Sequence, residues 1–489
     1  MPSDADKSHP GPSLSLWSFR DDVTIETAED GTLTILSRWG DVPVGRAAPA
    51  VEEVLHRMTY GPVALGNVAG LDQSTLQAVF DLLPGRIVRS LASRDSPVPL
   101  LSVQPVSPQG VFELPEVAAD RPIKLSRFAF AHQRDGELAI ESPLSPHRVV
   151  LHRPQASLVL GALARATTSA EVGQRVELPL PTVADVVAHL VGAGMVVLGE
   201  PGTRRFHEDS DPTLLLWSPY DLLFHSRSRL GTHDSPTGAT FRHVDTVAPP
   251  VAAKPAPDGP RIPMYRPPAP SRHRMTLTEA LDSRRCNRSF ADAAPSTRDL
   301  GELLFHAARV RLQARATAPG GVRYTVTRRP YPSAGSLYEL ELYLTVDRCP
   351  DLRRGIYHYN PVEHALTLVN ATPADIDELL DNARVSVGGH RRPPVLITMT
   401  ARAERLSWVY DSISHATTLK HVGMLQQTLY LVATMLGLAA CALTMGDAQV
   451  SASAFGLDWP AEVGVGEFVI GLPENDMARD EEYLGVHGM

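Results

Sequence analysis

From residue 248 to residue 270 the chain reads APPVAAKPAPDGPRIPMYRPPAP, with nine prolines between Pro249 and Pro270. Each proline removes a backbone donor and fixes φ at about −65°, so neither a helix nor a central strand can run through this stretch. An extended, polyproline-like connector is expected, and it divides the chain into an N-terminal half and a C-terminal domain opening near Met275. At 489 residues the chain is in any case too long for one core. The expected divisions are a first module over 1–120, a second module with a bridging helix over 121–245, the connector over 246–274 and a C-terminal domain over 275–489.

The N-terminal half carries a weak internal repeat. DGTLTILS (30–37) and DGELAIES (135–142) share Asp-Gly-x-Leu-x-Ile, and an Asp-Gly turn between strands is a hairpin signal. Each hairpin is followed by an amphipathic helix, AVEEVLHRM (50–58) or ASLVLGALARA (156–166). A second helical run, STLQAVFDLL (74–83) or TVADVVAHLVGAG (182–194), comes next, and then a strand-like segment. Hairpin plus small helices is the winged-helix pattern, and two copies imply two such modules. Neither copy has a basic recognition helix, and the net charge of −9 opposes nucleic-acid binding. A peptide-binding or structural role fits better. Residues 214–241, LLLWSPYDLLFHSRSRLGTHDSPTGATF, read as a helix running into a loop that bridges the halves.

The C-terminal domain alternates helical and strand-like patterns, as α+β folds do. TLTEALDSRR (276–285) opens on a capping-type Thr276 and reads as a helix. LYELELYLTV, GIYHYNP, ALTLVN, PVLITMTA and GEFVIGLP read as strands, the first half-buried by its alternation. The longest element is a helix expected from about Ser412 to Leu443. Its apolar part, LYLVATMLGLAACALTM (429–445), is 17 residues long, short of the roughly 20 a membrane span needs. It reads as a buried axis of a core or dimer and not as a membrane anchor.

Two stretches point to chemistry. PYPSAGS (330–336) places small residues and free backbone N–H groups just ahead of a strand, which suits either a plain turn or a flat, polar-edged ligand. DSRRCNRSF (282–290) gathers Arg284, Arg285 and Arg288 around Cys286 and Asn287, as a phosphate requires, although a solvated helix end uses the same residues. Of 46 basic residues only Lys7, Lys124, Lys254 and Lys420 are lysine, so arginine clusters say less here than a lysine inside an apolar helix does. Cys286, Cys349 and Cys441 are too few and too odd in number for a disulfide framework, and the polar N-terminus lacks a signal-peptide core. A reducing cytoplasm is expected. No CxxC or HExxH spacing announces a metal site.

Taken in order, RRxxRxF, YPSAGSLYELELYLTV, GIYHYNPVEHAL, GLAACAL and a terminal VIGLP resemble the flavin-dependent nitroreductase fold. More narrowly they resemble the SagB-type azoline dehydrogenases of azole-containing ribosomal peptide pathways, including those of thiopeptides. PYPSAGSLYELELYL, GIYHYNP and LLFHSRSRLG carry that narrower likeness, which covers about residues 205–475. The resemblance implies a mixed sheet with flanking helices and FMN at a homodimer interface. By it, Pro332, Ser333, Ala334, Gly335 and Ser336 line the flavin ring, Arg284, Arg285, Cys286 and Arg288 hold the phosphate and ribityl chain, and Leu443, Thr444 and Met445 touch the ring. Gln427 belongs to the same set.

The implied reaction turns a peptide thiazoline or oxazoline into a thiazole or oxazole, after a cyclodehydratase partner has closed the ring. It needs a base for the proton leaving the α-carbon. Relatives carry a Lys-Tyr pair ahead of the long helix; here Tyr410 is present but Val409 stands where the lysine is expected. Tyr410, with an ordinary pKa of about 10, would serve if a neighbouring cation lowered that value. Lys420, about two helical turns before Gln427, is the other candidate. His415 and His421 read as structural histidines. Two rival functions stand beside this one: an NAD(P)H-dependent nitroreductase or quinone reductase, and a non-catalytic scaffold of an azole-forming complex.

Overall fold

In the computed structural model of the protein the described residues are 13–94, 96, 98–268 and 275–474. The polar N-terminus, the end of the proline-rich connector and the C-terminal tail lie outside them. The chain forms two compact units, residues 1–235 and residues 236–489.

In the first unit both Asp-Gly turns close hairpins as expected. Thr24–Thr27 pairs with Leu33–Leu36, and Phe130–Arg134 with Glu137–Glu141. The second turn has φ of +52° at Asp135 and +90° at Gly136, the left-handed pair that a two-residue hairpin loop demands. The copies then diverge. The first hairpin adds Val42–Gly45 to make a three-stranded sheet. The second lies at one edge of a six-stranded antiparallel sheet, ordered Ser13–Phe19, Ile87–Ser93, Pro99–Pro105, His147–Leu151, Glu137–Glu141 and Phe130–Arg134. The two hairpins thus lie in different sheets, and the six-stranded one takes strands from both sides of residue 120 by long-range pairing that a local pattern does not reveal.

Helices Pro154–Ala162 and Leu180–Gly192 pack on this sheet through Val159, Val183, Val187 and Leu190. Between them lies Ser169–Val176, a helix absent from the sequence reading, opened by a capping box of Thr168 and Glu171. The bridging segment folds as two short helices, Pro212–Leu216 and Pro219–Arg227.

The second unit is built on a seven-stranded sheet ordered Arg261–Pro263, Ala365–Asn370, Gly355–Asn360, Leu340–Val346, Val395–Arg402, Glu462–Gly471 and Ala439–Leu443. Every pairing is antiparallel, not mixed as expected. Short turns join the three strands from Leu340 to Asn370, and such turns allow only antiparallel neighbours. Thr297–Ala307 and Ser414–Met435 cover one face, and Pro373–Val387 and Ala448–Phe455 the other. Leu340–Val346 is therefore buried at every position instead of half-buried. Its alternation separates two dry faces, not a dry and a wet one.

The long helix also ends earlier than expected. It spans Ser414–Met435, Gly437 turns with φ of +71°, and Ala439–Leu443 becomes the sheet's edge strand. A short apolar run is equally compatible with buried helix and buried strand, and here cross-strand partners Glu467–Gly471 decide it. Among the described residues no helix is long and apolar enough to cross a membrane.

The connector is docked along most of its described length. Trp408 Nε1 donates to the Val247 carbonyl at 2.8 Å, and Arg405 Nη1 to that of Pro250 at 2.8 Å. Lys254 Nζ reaches Glu462 Oε2 at 2.5 Å and the Tyr343 hydroxyl at 2.8 Å. Arg261–Pro263 ends it as an edge strand, where Pro263 need not donate.

Candidate active site

The PSAG segment is a strained turn held from outside. Gly335, Ser336 and Tyr338 have φ of +58°, +55° and +49°, and for the two non-glycine residues this conformation is costly unless neighbours enforce it. The Ala334 N–H donates to His421 Nε2 at 2.8 Å, while His421 Nδ1 lies 2.8 Å from Oε1 of the buried Glu339. Because Nε2 accepts, the ring proton sits on Nδ1 and points at Glu339. The Tyr338 N–H donates to Ser333 Oγ at 3.0 Å, and Arg405 Nη2 donates to the Leu337 carbonyl at 2.6 Å. Pro332 and Gly335 stay exposed at the tip. Tyr410 lies over the turn: a Cβ added to Gly335 would come 3.1 Å from its hydroxyl.

The arginine loop follows helix Leu277–Ser283, whose capping box of Thr276 and Glu279 forms as the sequence implies. It is tied to the edge strand and to the long helix. The Asn287 N–H donates to the Ala440 carbonyl at 2.8 Å. Cys286 Sγ sits 3.1 Å from the Tyr430 hydroxyl, which accepts the Ala442 N–H at 2.6 Å. The Arg284 guanidinium lies 5.2 Å from the centre of the Tyr430 ring. Burial, then the Cys286 hydrogen bond, pushes the Tyr430 hydroxyl far above its ordinary pKa, so it remains a proton-bearing strut. Arg285, Cys286 and Arg288 are exposed.

A cavity of about 330 Å³ is walled by His415, Leu419, Val422 and Gln426 of the long helix, by Leu443 and Thr444, and by Gly446 and Glu467. Burial pushes the Glu467 carboxyl up to about 7. Along the helix, His421 reaches the turn, Val422 and Gln426 the cavity, and Tyr430 the arginine loop. The nine helical steps from His421 to Tyr430 span about 13–14 Å. One helix thus aligns a strained small-residue turn, a cavity and a cationic loop.

The remaining expected site residues are placed differently from one another. Lys420 and Gln427 are exposed on the outer face of the helix, and Gln426 takes the cavity side, its Nε2 donating to the Glu467 carbonyl at 3.2 Å. Lys420 is therefore not the buried ammonium that an apolar helix suggested. Val409 is buried among Leu337, Leu406 and Trp408. The Tyr410 hydroxyl is pushed up by burial and then by Tyr324, opposite to the lowering a base would need. Thr444 and Met445 are exposed, and the Met445 carbonyl accepts Ser386 Oγ at 3.0 Å. The sequence reading passed over Glu339, Tyr430 and Glu467. An acid between glycine and phenylalanine in the middle of the glycine-rich, apolar EVGVGEFVIG was the available signal for the last. Among the described residues no cluster of three or more His, Cys, Asp or Glu could hold a metal ion.

Residues 281–472, which include the arginine loop, the turn and the cavity, match the Nitroreductase family. The second unit carries a nitroreductase-family domain. Ahead of this nitroreductase domain, residues 123–234 match the cyanobactin oxidase ThcOx family. A candidate nitroreductase of Methanocaldococcus jannaschii is 27% identical over 169 residues, 35% of this chain and 78% of that protein. Among solved structures, a candidate nitroreductase of Ralstonia eutropha is 20% identical with a TM-score of 0.36, over 50% of this chain and 100% of that one. The E. coli microcin synthetase McbBCD complex with truncated pro-MccB17 gives 24% identity and a TM-score of 0.32, over 44% of this chain and 78% of that one.

Proposed function

We propose that the protein is an FMN-dependent oxidase of azoline rings in a ribosomally made peptide. That it carries an oxidoreductase domain of the nitroreductase family follows from the match over 281–472. The observation that carries the finer reading is the cyanobactin-oxidase match over 123–234 in the same chain, a region that reduction of a small molecule does not require.

The residues fit the cofactor. Arg284, Arg285 and Arg288 offer guanidinium forks for a single terminal phosphate, and no GxGxxG follows a strand to take a dinucleotide. The exposed Gly335, in its left-handed turn, leaves backbone open to a flat ring. Leu443 and Thr444 line the cavity that Glu467 shares. When bound, the flavin supplies the two-electron acceptor for the oxidation. The chain's own part is to hold and orient. His421 and Glu339 fix the turn, Tyr430 fixes the arginine loop, and Tyr410 stays protonated over Gly335 as a hydrogen-bond donor. The outer face of the long helix, with Leu419, Gly423, Met424 and Gln427 exposed, suits the homodimer that the resemblance implies. The first unit is assigned to the precursor peptide or to the cyclodehydratase that prepares it.

Mass spectrometry of a cyclised peptide incubated with the purified protein tests this directly. Each ring oxidised loses roughly two mass units, the two hydrogens of the reaction. Rapid NAD(P)H oxidation with quinones, with no mass change in the peptide, would overturn it.

A further inference from the structure

Glu467 sits where an apolar residue would pack better. In the sheet it is flanked by Leu443 on one side and Thr398 on the other, and neither offers charge. Among the described residues no hydrogen bond or ion pair reaches its carboxylate. A carboxylate left without a partner in a half-buried place is costly, so its retention calls for a reason other than stability.

The surroundings supply one. Ala439–Leu443 stops opposite Glu467, and the neighbouring strand runs on through Gly464 and Gly466 as a bare edge that floors the cavity. The helix clamps this point through the bond from Gln426 to the Glu467 carbonyl. A Cβ on Gly446 would overlap the Glu467 carboxylate, so the acid lies directly against the Gly446 backbone. His415, in the first turn of the long helix, lines the same cavity. Asp447 adjoins it but faces away, its Oδ1 accepting the Gln449 and Val450 N–H groups at 2.9 Å. No lysine or arginine is among the cavity's lining residues.

We propose that Glu467 is the base that removes the α-proton of the azoline ring, a role that rests on the function assigned above. The α-carbon–hydrogen bond breaks and its proton goes to the Glu467 carboxylate. The electron pair it leaves forms the new ring double bond, while the neighbouring ring carbon gives up its hydrogen as hydride to the flavin, the oxidant. Two hydrogens leave the ring, one as proton and one with two electrons. An acid pushed up to about 7 is half ionised near neutrality, where a general base works best. It also fills the place left by Val409, without calling on the exposed Lys420.

Glu467→Gln keeps the shape of the side chain and cannot accept the proton. It should retain flavin while azoline oxidation falls by a factor on the order of 10²–10⁴. The wild-type rate should rise with pH through about 7, and that limb should vanish in the variant. Glu467→Asp should keep the limb at a reduced rate. An infrared pH titration of the wild-type protein should show a carboxyl band lost near pH 7. Its absence, or a Glu467→Gln enzyme with the wild-type rate and pH limb, overturns the proposal. A wild-type protein that binds flavin but oxidises no azoline peptide overturns the underlying function instead.

Discussion

His421 Nε2 accepts the backbone N–H of Ala334 at 2.8 Å across 87 residues of sequence. This bond sets a backbone conformation that the turn would not keep alone, and it shows that the long helix determines the shape of the PSAG loop. Replacing His421 with Ala removes the acceptor and strands the buried Glu339 carboxylate. A loss of about 1–3 kcal/mol of stability is expected, the ordinary cost of a buried polar group left unpaired. Weaker flavin retention should accompany it, and denaturant melts with flavin release by gel filtration check both.

Arg288→Ala tests the cationic loop. A charge-assisted contact to phosphate is worth on the order of 1.5–3 kcal/mol, so the flavin dissociation constant should rise at least tenfold. The released flavin should be FMN by chromatography, and FAD would contradict the single-phosphate reading of Arg284, Arg285 and Arg288.

Tyr410→Phe separates donor from base. Burial raises the Tyr410 pKa above its ordinary value, so this group does not ionise in the neutral range. Loss of the hydroxyl should lower azoline oxidation while leaving the position of the pH limb unchanged. A variant in which the limb disappears would show that Tyr410, and not Glu467, is the titrating group.

Stability should also depend on Glu467. Its folded pKa, about 7, lies above the ordinary 4.5, so the folded state holds the proton more tightly than the unfolded chain does. The native state is therefore favoured below pH 4.5 by this group, and that advantage is lost as pH rises from there through about 7. The shift corresponds to a loss on the order of 3 kcal/mol. Thermal melts at several pH values should show the wild-type protein weakening over this window and Glu467→Gln weakening less.

Lys254→Ala tests the docking of the connector. Its ammonium neutralises Glu462, which is buried, at 2.5 Å. Loss of this charged hydrogen bond should cost about 1.5–3 kcal/mol, read as a lower denaturation midpoint.

Much of the second unit was legible in the chain. Alternation located the strand Leu340–Val346, the Thr276–Glu279 pair announced a helix start, and the Asp-Gly turns marked both hairpins, because each of these signals is local. RRxxRxF and PYPSAGS marked two of the three parts of the proposed site. The third, the cavity around Glu467, had no motif, since its walls come from the long helix, the end of the edge strand and a strand some twenty residues further on.

Sequence by itself determined that the proline-rich stretch carries neither a helix nor a central strand, and which local conformations the turns, caps and alternating runs would take, since those depend on each residue's own backbone and its near neighbours. Tertiary structure decided that Ala439–Leu443 is a strand and not the end of a helix, that Leu340–Val346 is dry on both faces, that Lys420 faces outward and that Glu467 lines a cavity. Burial and cross-strand partners belong to the assembled fold: whether a charge is solvated, and so what its pKa becomes, depends on which distant residues close around it.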